Sequence, residues 1–341
     1  MIPGYITFEA ARATQAAELG RTLPTVAEQI RVLTASGLLT DSAPLFVGIG
    51  ASLAAAAAPV WALRSRGIDS WRAGAGDQPI PYPTTRHAVV GISQSGRSAE
   101  TLAVLAAVPD DRRLAVVNTT PSPLSELASV VISLGNLRDS YASTIGYTAT
   151  VGALGMLADA WDGGTIDPGW DGVPDAATLT EARLADRLAD LTPVLERVGY
   201  ADFVGTGPAV GSAEAGALLL REVARIPSTA MSTRQYLHGS MESANEGLHV
   251  LFGDEREVAL AQTLADAGHD VLLVTAADVA PTARLHPLRM ERRPAAQRAL
   301  LEALVLQLLA ARAAEARGVD VEEFVFHNDD TKVTATPAEG E

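Results

Sequence analysis

The sequence contains no cysteine. Disulfides, thiolate metal sites and cysteine nucleophiles are therefore excluded within these 341 residues. Lysine is almost as scarce: the 26 basic side chains include one lysine, Lys332, and the rest are arginine. Positive charge is short overall. Against 41 acidic residues the formal net charge is −15, which argues against nucleic acid or an anionic membrane as a partner. Long apolar runs are missing as well. The most apolar stretch, Leu53 to Leu63, is too short to span a bilayer. No charged segment leads into an apolar run at the start, so no signal peptide is expected, and a cytoplasmic location fits. Apolar residues, chiefly alanine and aliphatics, are plentiful. At 48% they suffice for sizeable cores without cross-links, and the length suggests two domains.

Periodicity organises the chain into two similar halves. Phe8 to Leu38 has apolar residues at helical spacing, with a break expected near Pro24. Strand-like runs follow at 44–50, 87–93, 113–118 and 130–134, with helices expected at 53–63, 100–108 and 145–161. The stretch Asp162 to Asp175, rich in Gly, Asp and Pro, reads as a boundary. A helix over 177–198 then leads into strands at 202–207, 249–252 and 270–275, with helices at 210–226, 257–268 and 295–317. Two strand-Gly-x-Gly-helix openings, at Gly48 and Gly205, suggest a duplicated α/β unit. The expected fold is two parallel sheets flanked by helices, three layers in each unit, with ligands at the C-terminal ends of strands. The expected divisions are a helical segment at 1–40, a first domain at 41–165, a linker and helix at 166–195, a second domain at 196–325 and a tail at 326–341.

The chemistry concentrates after the strand at 87–93, in Ser93-Gln94-Ser95-Gly96-Arg97-Ser98-Ala99-Glu100-Thr101. A strand ends in serines, a glycine permits a tight turn, and Ser98 is placed to cap the next helix. Amides and hydroxyls converging at a helix N-terminus form a cradle for an anion. A plain serine-rich turn with an N-cap has the same look.

This string resembles the phosphate loop of the sugar isomerase (SIS) domain family, in particular the isomerase half of the glutamine–fructose-6-phosphate aminotransferases. The family pattern is Ser-x-Ser-Gly-x-Thr-x-Asp/Glu-Thr. The resemblance implies that Ser93, Gln94, Ser95 and Ser98 hold a sugar phosphate, with Ser98 in place of the usual Thr. Arg97 stands where the family often has Glu, and its side chain is expected to face solvent. Gly48-Ile49-Gly50-Ala51-Ser52 resembles the first strand-turn of the family, which implies that Ser52 lies beside the phosphate. Tyr141-Ala142-Ser143-Thr144 resembles its Val-Ala-Ser-Thr, implying sugar contacts from the Tyr141 backbone and Ser143. Leu306-Gln307-Leu308-Leu309-Ala310 and Gly318-Val319-Asp320-Val321 resemble the last helix and the turn beyond it. The matches run in order over nearly the whole chain and imply a tandem SIS architecture.

Leu218-Leu219-Leu220-Arg221-Glu222-Val223 is similar to the family's Leu-Lys-Leu-Lys-Glu-Ile, which implies that Glu222 is the base moving a proton between adjacent sugar carbons. Sixteen residues on (238 − 222), Tyr236-Leu237-His238-Gly239 is similar to Leu-Lys-His-Gly. There the histidine opens the sugar ring and comes from the neighbouring subunit, so a homodimer is implied. Taken alone, Glu222 is equally a helix carboxylate paired with Arg221 or Arg225, and His238 a loop histidine. Asp330-Thr331-Lys332-Val333-Thr334 resembles the family's C-terminal tail, whose lysine reaches the active site. The residue types suit the chemistry. A carboxylate held near neutral pKa takes and returns a carbon-bound proton. Imidazole protonates a ring oxygen near pH 7, and an ammonium stabilises an enediolate.

Several departures narrow the expectation. A glutaminase segment and its cysteine are missing, Leu219 replaces a lysine, Ser240-Met241-Glu242 replaces Pro-Leu-Ala, and Asp330 replaces an apolar residue. The expected activity is phosphosugar isomerisation through an enediol or enamine. Deamination or deglycation of an aminosugar phosphate, and non-catalytic sensing of a sugar phosphate, stay open. No metal or other cofactor is implied, because no Walker lysine follows the glycine turns.

Overall fold

The structure is a computed structural model. It describes residues 4–40, 42–83, 85–326 and 328–333, so 327 and 334–341 of the expected tail lie outside the described residues. Helix α1 (Phe8–Ala35) comes first, capped by the Thr7 hydroxyl, which accepts from the Ala10 N–H. It runs straight through Pro24, where the sequence predicts a break. An interior proline costs roughly 3 kcal/mol. Burial of Leu19, Leu23, Val26 and Ile30 on one face outweighs that, at about 1.5–3 kcal/mol per side chain.

The first sheet is built from β1 (Pro44–Gly48), α2 (Ala51–Ala55), α3 (Ala57–Ser65), β2 (Trp71–Gly74), β3 (Ala88–Ser93), α4 (Ala99–Ala106), β4 (Arg113–Val117), α5 (Pro123–Leu127) and β5 (Val130–Ser133). Its strands are all parallel, in the order β2-β1-β3-β4-β5. The alanine-rich run read as one helix is two, because Pro59 has no N–H to donate to the Ala55 carbonyl. Helix α6 (Ile145–Ala160) follows and is buried almost all round. The Gly-, Asp- and Pro-rich stretch beyond it is packed, with Trp170 buried and its indole N–H donating to Asp159 at 2.8 Å. The helix expected over 177–198 is α7 (Val173–Ala189) and α8 (Thr192–Arg197). The division again falls four residues before a proline, Pro193, which leaves the Ala189 carbonyl without its helical donor.

The second sheet comprises β6 (Ala201–Gly205), α9 (Val210–Ala224), β7 (Ser228–Ser232), α10 (Thr233–Leu237), β8 (Leu248–Phe252), α11 (Arg256–Asp266), β9 (Asp270–Thr275) and β10 (Leu285–Arg289). It is also fully parallel, and its order read from β7 is β7-β6-β8-β9-β10. The strand starts, 44, 71, 88, 113 and 130 against 201, 228, 248, 270 and 285, are offset by 155 to 160 residues. The two sheets are therefore wound alike. Helix α12 (Ala295–Arg317) closes the fold.

Three strands escape the periodicity: β2, β7 and β10. Each lies at a sheet edge. An edge strand is flanked on one side only and tolerates Arg72, Ser232 or Pro287 where a central strand does not. The apolar interior spans both sheets. Phe46 of β1, Leu154 of α6, Phe203 of β6 and Leu304 of α12 belong to one contiguous cluster. Among the described residues no helix is long and apolar enough to cross a membrane.

Candidate active site

The turn between β3 and α4 is tight. Gly96 has φ +65°, and a Cβ there would lie 2.0 Å from the Ser122 hydroxyl, so only glycine fits. The Gly96 N–H donates to Ser93 Oγ at 3.1 Å and the Arg97 N–H to Ser95 Oγ at 3.3 Å. Ser93 Oγ and Ser98 Oγ are 3.0 Å apart. Ser98 occupies the N-cap position, yet its hydroxyl makes no bond to the helix amides, contrary to the expected cap. It faces Ser93 instead. The first-turn amides of α4 are thus left without a side-chain acceptor at a positive helix end, the situation that suits an anion.

The tail lies along this turn. Lys332 pairs antiparallel with Ser98, and the Val333 N–H donates to the Arg97 carbonyl at 2.9 Å. The Arg97 guanidinium donates back to the Val333 carbonyl at 3.4 Å, so it holds the tail rather than merely facing solvent. The sole lysine is brought to the serine turn by its main chain.

A small cleft opens between the two units. Ser143, Tyr147 and Glu222 share it with Leu218, Leu219 and Leu306. Glu222 sits in the last turn of α9. Neither neighbouring arginine pairs with it: Arg221 donates to the Ser228 carbonyl at 2.8 Å, and Arg225 pairs with Glu323 at 3.2 Å. Burial among apolar side chains alone pushes the Glu222 carboxyl up to about 7. Ala51, next to Ser52, lines the same cleft, and half-buried Ser52 lies in the first turn of α2, just beyond β1. The C-terminal edge of the first sheet thereby meets α9 and α12.

Asp139 joins the turn to the cleft. It is 8% exposed, and its Oδ2 accepts from Gln94 Nε2 at 3.2 Å and from the Ser143 hydroxyl at 2.7 Å. Burial pushes its carboxyl up, while hydrogen bonds from Ser143, Thr144 and Ser140 pull it back. Sequence reading missed Asp139 and Tyr147. The signal available for Tyr147 was its spacing, one helical turn beyond Ser143. For Asp139 the sequence offered no comparable signal, because its partners come together only in the fold. Tyr147 is buried, which pushes its phenol above the ordinary range, with Glu214 and Glu302 adding to the effect.

Two expected residues stand apart. Tyr141 is 52% exposed, and its ring packs against Tyr5 and Phe324, with centroids at 4.6 and 5.6 Å. His238 caps the end of α10, is exposed, and does not line the cleft. Arg221 ties the end of α9 to the start of β7, whereas His238 lies beyond the end of that strand. The length of β7 alone separates these ends by roughly 13 Å. Among the described residues no His, Asp and Glu side chains converge in a set able to hold a metal ion.

No family model matches the chain. In sequence it is 31% identical over 262 residues to the glutamine–fructose-6-phosphate aminotransferase (isomerizing) of Symbiobacterium thermophilum, an alignment covering 69% of this chain and 42% of that protein. The chain thus spans less than half the length of the curated relatives it matches. In structure it resembles the C-terminal domain of glucosamine-fructose-6-phosphate aminotransferase from Francisella tularensis, with TM-score 0.80 and 17% identity over 94% of this chain and 99% of that one. It also resembles tagatose-6-phosphate ketose/aldose isomerase from Escherichia coli, with TM-score 0.76 and 18% identity over 94% and 97%. The structural likeness is one of fold. With the sequence match, it makes the chain a homologue of the isomerase (SIS) part of the glutamine–fructose-6-phosphate aminotransferases, in a fold shared with phosphosugar isomerases.

Proposed function

We propose that the chain is a phosphosugar isomerase-type enzyme acting on a hexose 6-phosphate derivative through an enediol or enamine. The observation that carries this reading is the Glu222 carboxyl. It is unpaired by its neighbouring arginines and raised by burial to about 7, in a cleft linked through Asp139 to an anion-ready turn. A base near neutral pKa both removes and returns a carbon-bound proton at physiological pH. The hydroxyls of Ser93, Ser95 and Ser98 and the amides of the turn hold the phosphate, with Ser52 beside it. Ser143 contacts the sugar, as does the backbone at Tyr141. The Lys332 ammonium faces the developing oxyanion. Leu219 lines the cleft at the position where the family pattern Leu-Lys-Leu-Lys-Glu-Ile has lysine, which favours isomerisation over amination.

His238 opens the sugar ring from a neighbouring subunit. Its exposure, and its place beyond the far end of β7 from Glu222, support a shared site in a homodimer. Mixing Glu222→Gln with His238→Ala subunits restores part of the activity in mixed dimers. No recovery excludes a shared site. The reaction itself is tested by NMR in deuterated water. Wild type exchanges a carbon-bound proton of fructose 6-phosphate or glucosamine 6-phosphate for deuterium, and Glu222→Gln does not. Binding across a panel of sugar phosphates, fructosamine 6-phosphates included, with no exchange and no turnover makes the chain a sensor instead.

A further inference from the structure

Every hydrogen-bond partner of the Asp139 carboxylate donates to it. Oδ1 accepts from the Ser140 N–H at 3.0 Å, the Thr144 N–H at 3.0 Å and the Thr144 hydroxyl at 2.8 Å. Oδ2 accepts from the Ser143 hydroxyl at 2.7 Å, the Gly146 N–H at 3.0 Å and the Gln94 amide at 3.2 Å. Four of these six donors, three main-chain N–H groups and the amide nitrogen, are able only to donate. The arrangement is that of an ionised carboxylate at the start of α6, where the helix end favours negative charge.

An ionised carboxylate only accepts. The end of Gln94 that faces it is therefore the NH₂ group, and the amide is barred from turning over. Its other end, Oε1, is buried and has no partner among the described residues. The close approach is built into the chain. A Cβ at position 146 would lie 2.1 Å from Gln94 Nε2 and 2.5 Å from Asp139 Oδ2, so Gly146 is what lets the two groups meet.

We propose that Asp139 is a positioning residue that locks Gln94 with its carbonyl oxygen toward the ligand, so that this oxygen receives a sugar hydroxyl or amine rather than the phosphate. A phosphate dianion has no proton to offer an amide oxygen, whereas a hydroxyl or an amine does. Gln94 is thereby assigned to the sugar through its side chain, and phosphate is left to the serines and main-chain amides. This rests on reading the site as one for a sugar phosphate.

The test is calorimetric, on the full chain, with inorganic phosphate as one probe and fructose 6-phosphate or glucosamine 6-phosphate as the other. Gln94→Met keeps length and removes the amide. It is expected to weaken hexose phosphate about tenfold while leaving inorganic phosphate within about twofold. Asp139→Asn is expected to show the same split, and adding Gln94→Met to it causes no further loss, because the two act as one unit. Equal losses for both probes make Gln94 a phosphate ligand and overturn the proposal. Additive losses in the double variant overturn the role of Asp139. Should Asp139→Asn not fold, the split in Gln94→Met, judged beside its melting temperature, decides alone. A wild type that binds phosphate but no hexose phosphate, or neither, overturns the sugar-phosphate reading itself.

Discussion

The turn after β3 and the turn after β8 occupy the same place in two sheets wound alike, but they differ in charge. The first presents Ser93, Ser95 and Ser98 to a helix end whose amides lack a side-chain acceptor. The second reads Gly253-Asp254-Glu255 and supplies its own anions. Asp254 accepts from the Ala276 N–H at 2.6 Å and from the Thr275 hydroxyl at 3.2 Å, and buried Glu257 accepts from the Thr233 hydroxyl at 2.6 Å. An incoming phosphate would meet carboxylates there. The helix after the first strand of each unit differs in the complementary way. Glu222 closes α9, while the position 157 residues earlier, in α3, is Ser65. Topology supplies two edges. A few turn residues leave one open to an anion, and under the proposed function the other unit lends the base.

The strongest way to break this division of labour is at Glu222. Glu222→Gln is expected to slow proton exchange about a thousandfold. The wild-type rate should rise with pH through about 7 as the carboxyl ionises. An unchanged rate would place the base elsewhere. Next is Lys332→Arg, conservative in so arginine-rich a chain. It is expected to reduce turnover about a hundredfold or more with an unchanged melting temperature, since a guanidinium does not replace a compact ammonium. Third, Ser98→Ala should weaken inorganic phosphate about tenfold, whereas Asp254→Ala in the matching turn should leave it unchanged. Loss of phosphate binding in Asp254→Ala would show that the two edges are not so different. The smallest effect is on stability. Burial raises the folded Glu222 pKa from 4.5 to about 7, so its contribution is fully present below about 4.5 and is lost as pH rises through about 7. Denaturation of Glu222→Gln should therefore show a gain on the order of 1–3 kcal/mol above pH 7 and none near pH 4.

Much of the fold was legible because central parallel strands are continuous apolar runs, as at Val89-Val90 and Val250-Leu251. The edges β2, β7 and β10 were not legible, because a half-covered strand need not be apolar. Pro24 misled in one direction and Pro59 and Pro193 in the other. The helix is unbroken at Pro24 and divided ahead of Pro59 and Pro193, although buried faces flank all three. At the candidate site, the serine turn was visible in the residue pattern, and Glu222 stood out only through the resemblance of the segment from Leu218 to Val223. Asp139 did not stand out, since its importance lies in partners at positions 94, 143, 144 and 146 that only the fold assembles. The divergent side of His238 was equally invisible, because it depends on which end of β7 the histidine follows.

The pairing of Lys332 with Ser98 also orders events during synthesis. The serine turn emerges more than two hundred residues before its strap (332 − 98), and the rest of the first sheet and all of the second are made in between. Glu322 must likewise return to the Phe8 N–H at 2.7 Å, closing a loop across 314 residues. Domains fold as units while the chain grows, and long loops close at a cost that rises only slowly with length. A nascent chain of this protein therefore passes through a stage in which both sheets exist and the turn has no lysine beside it.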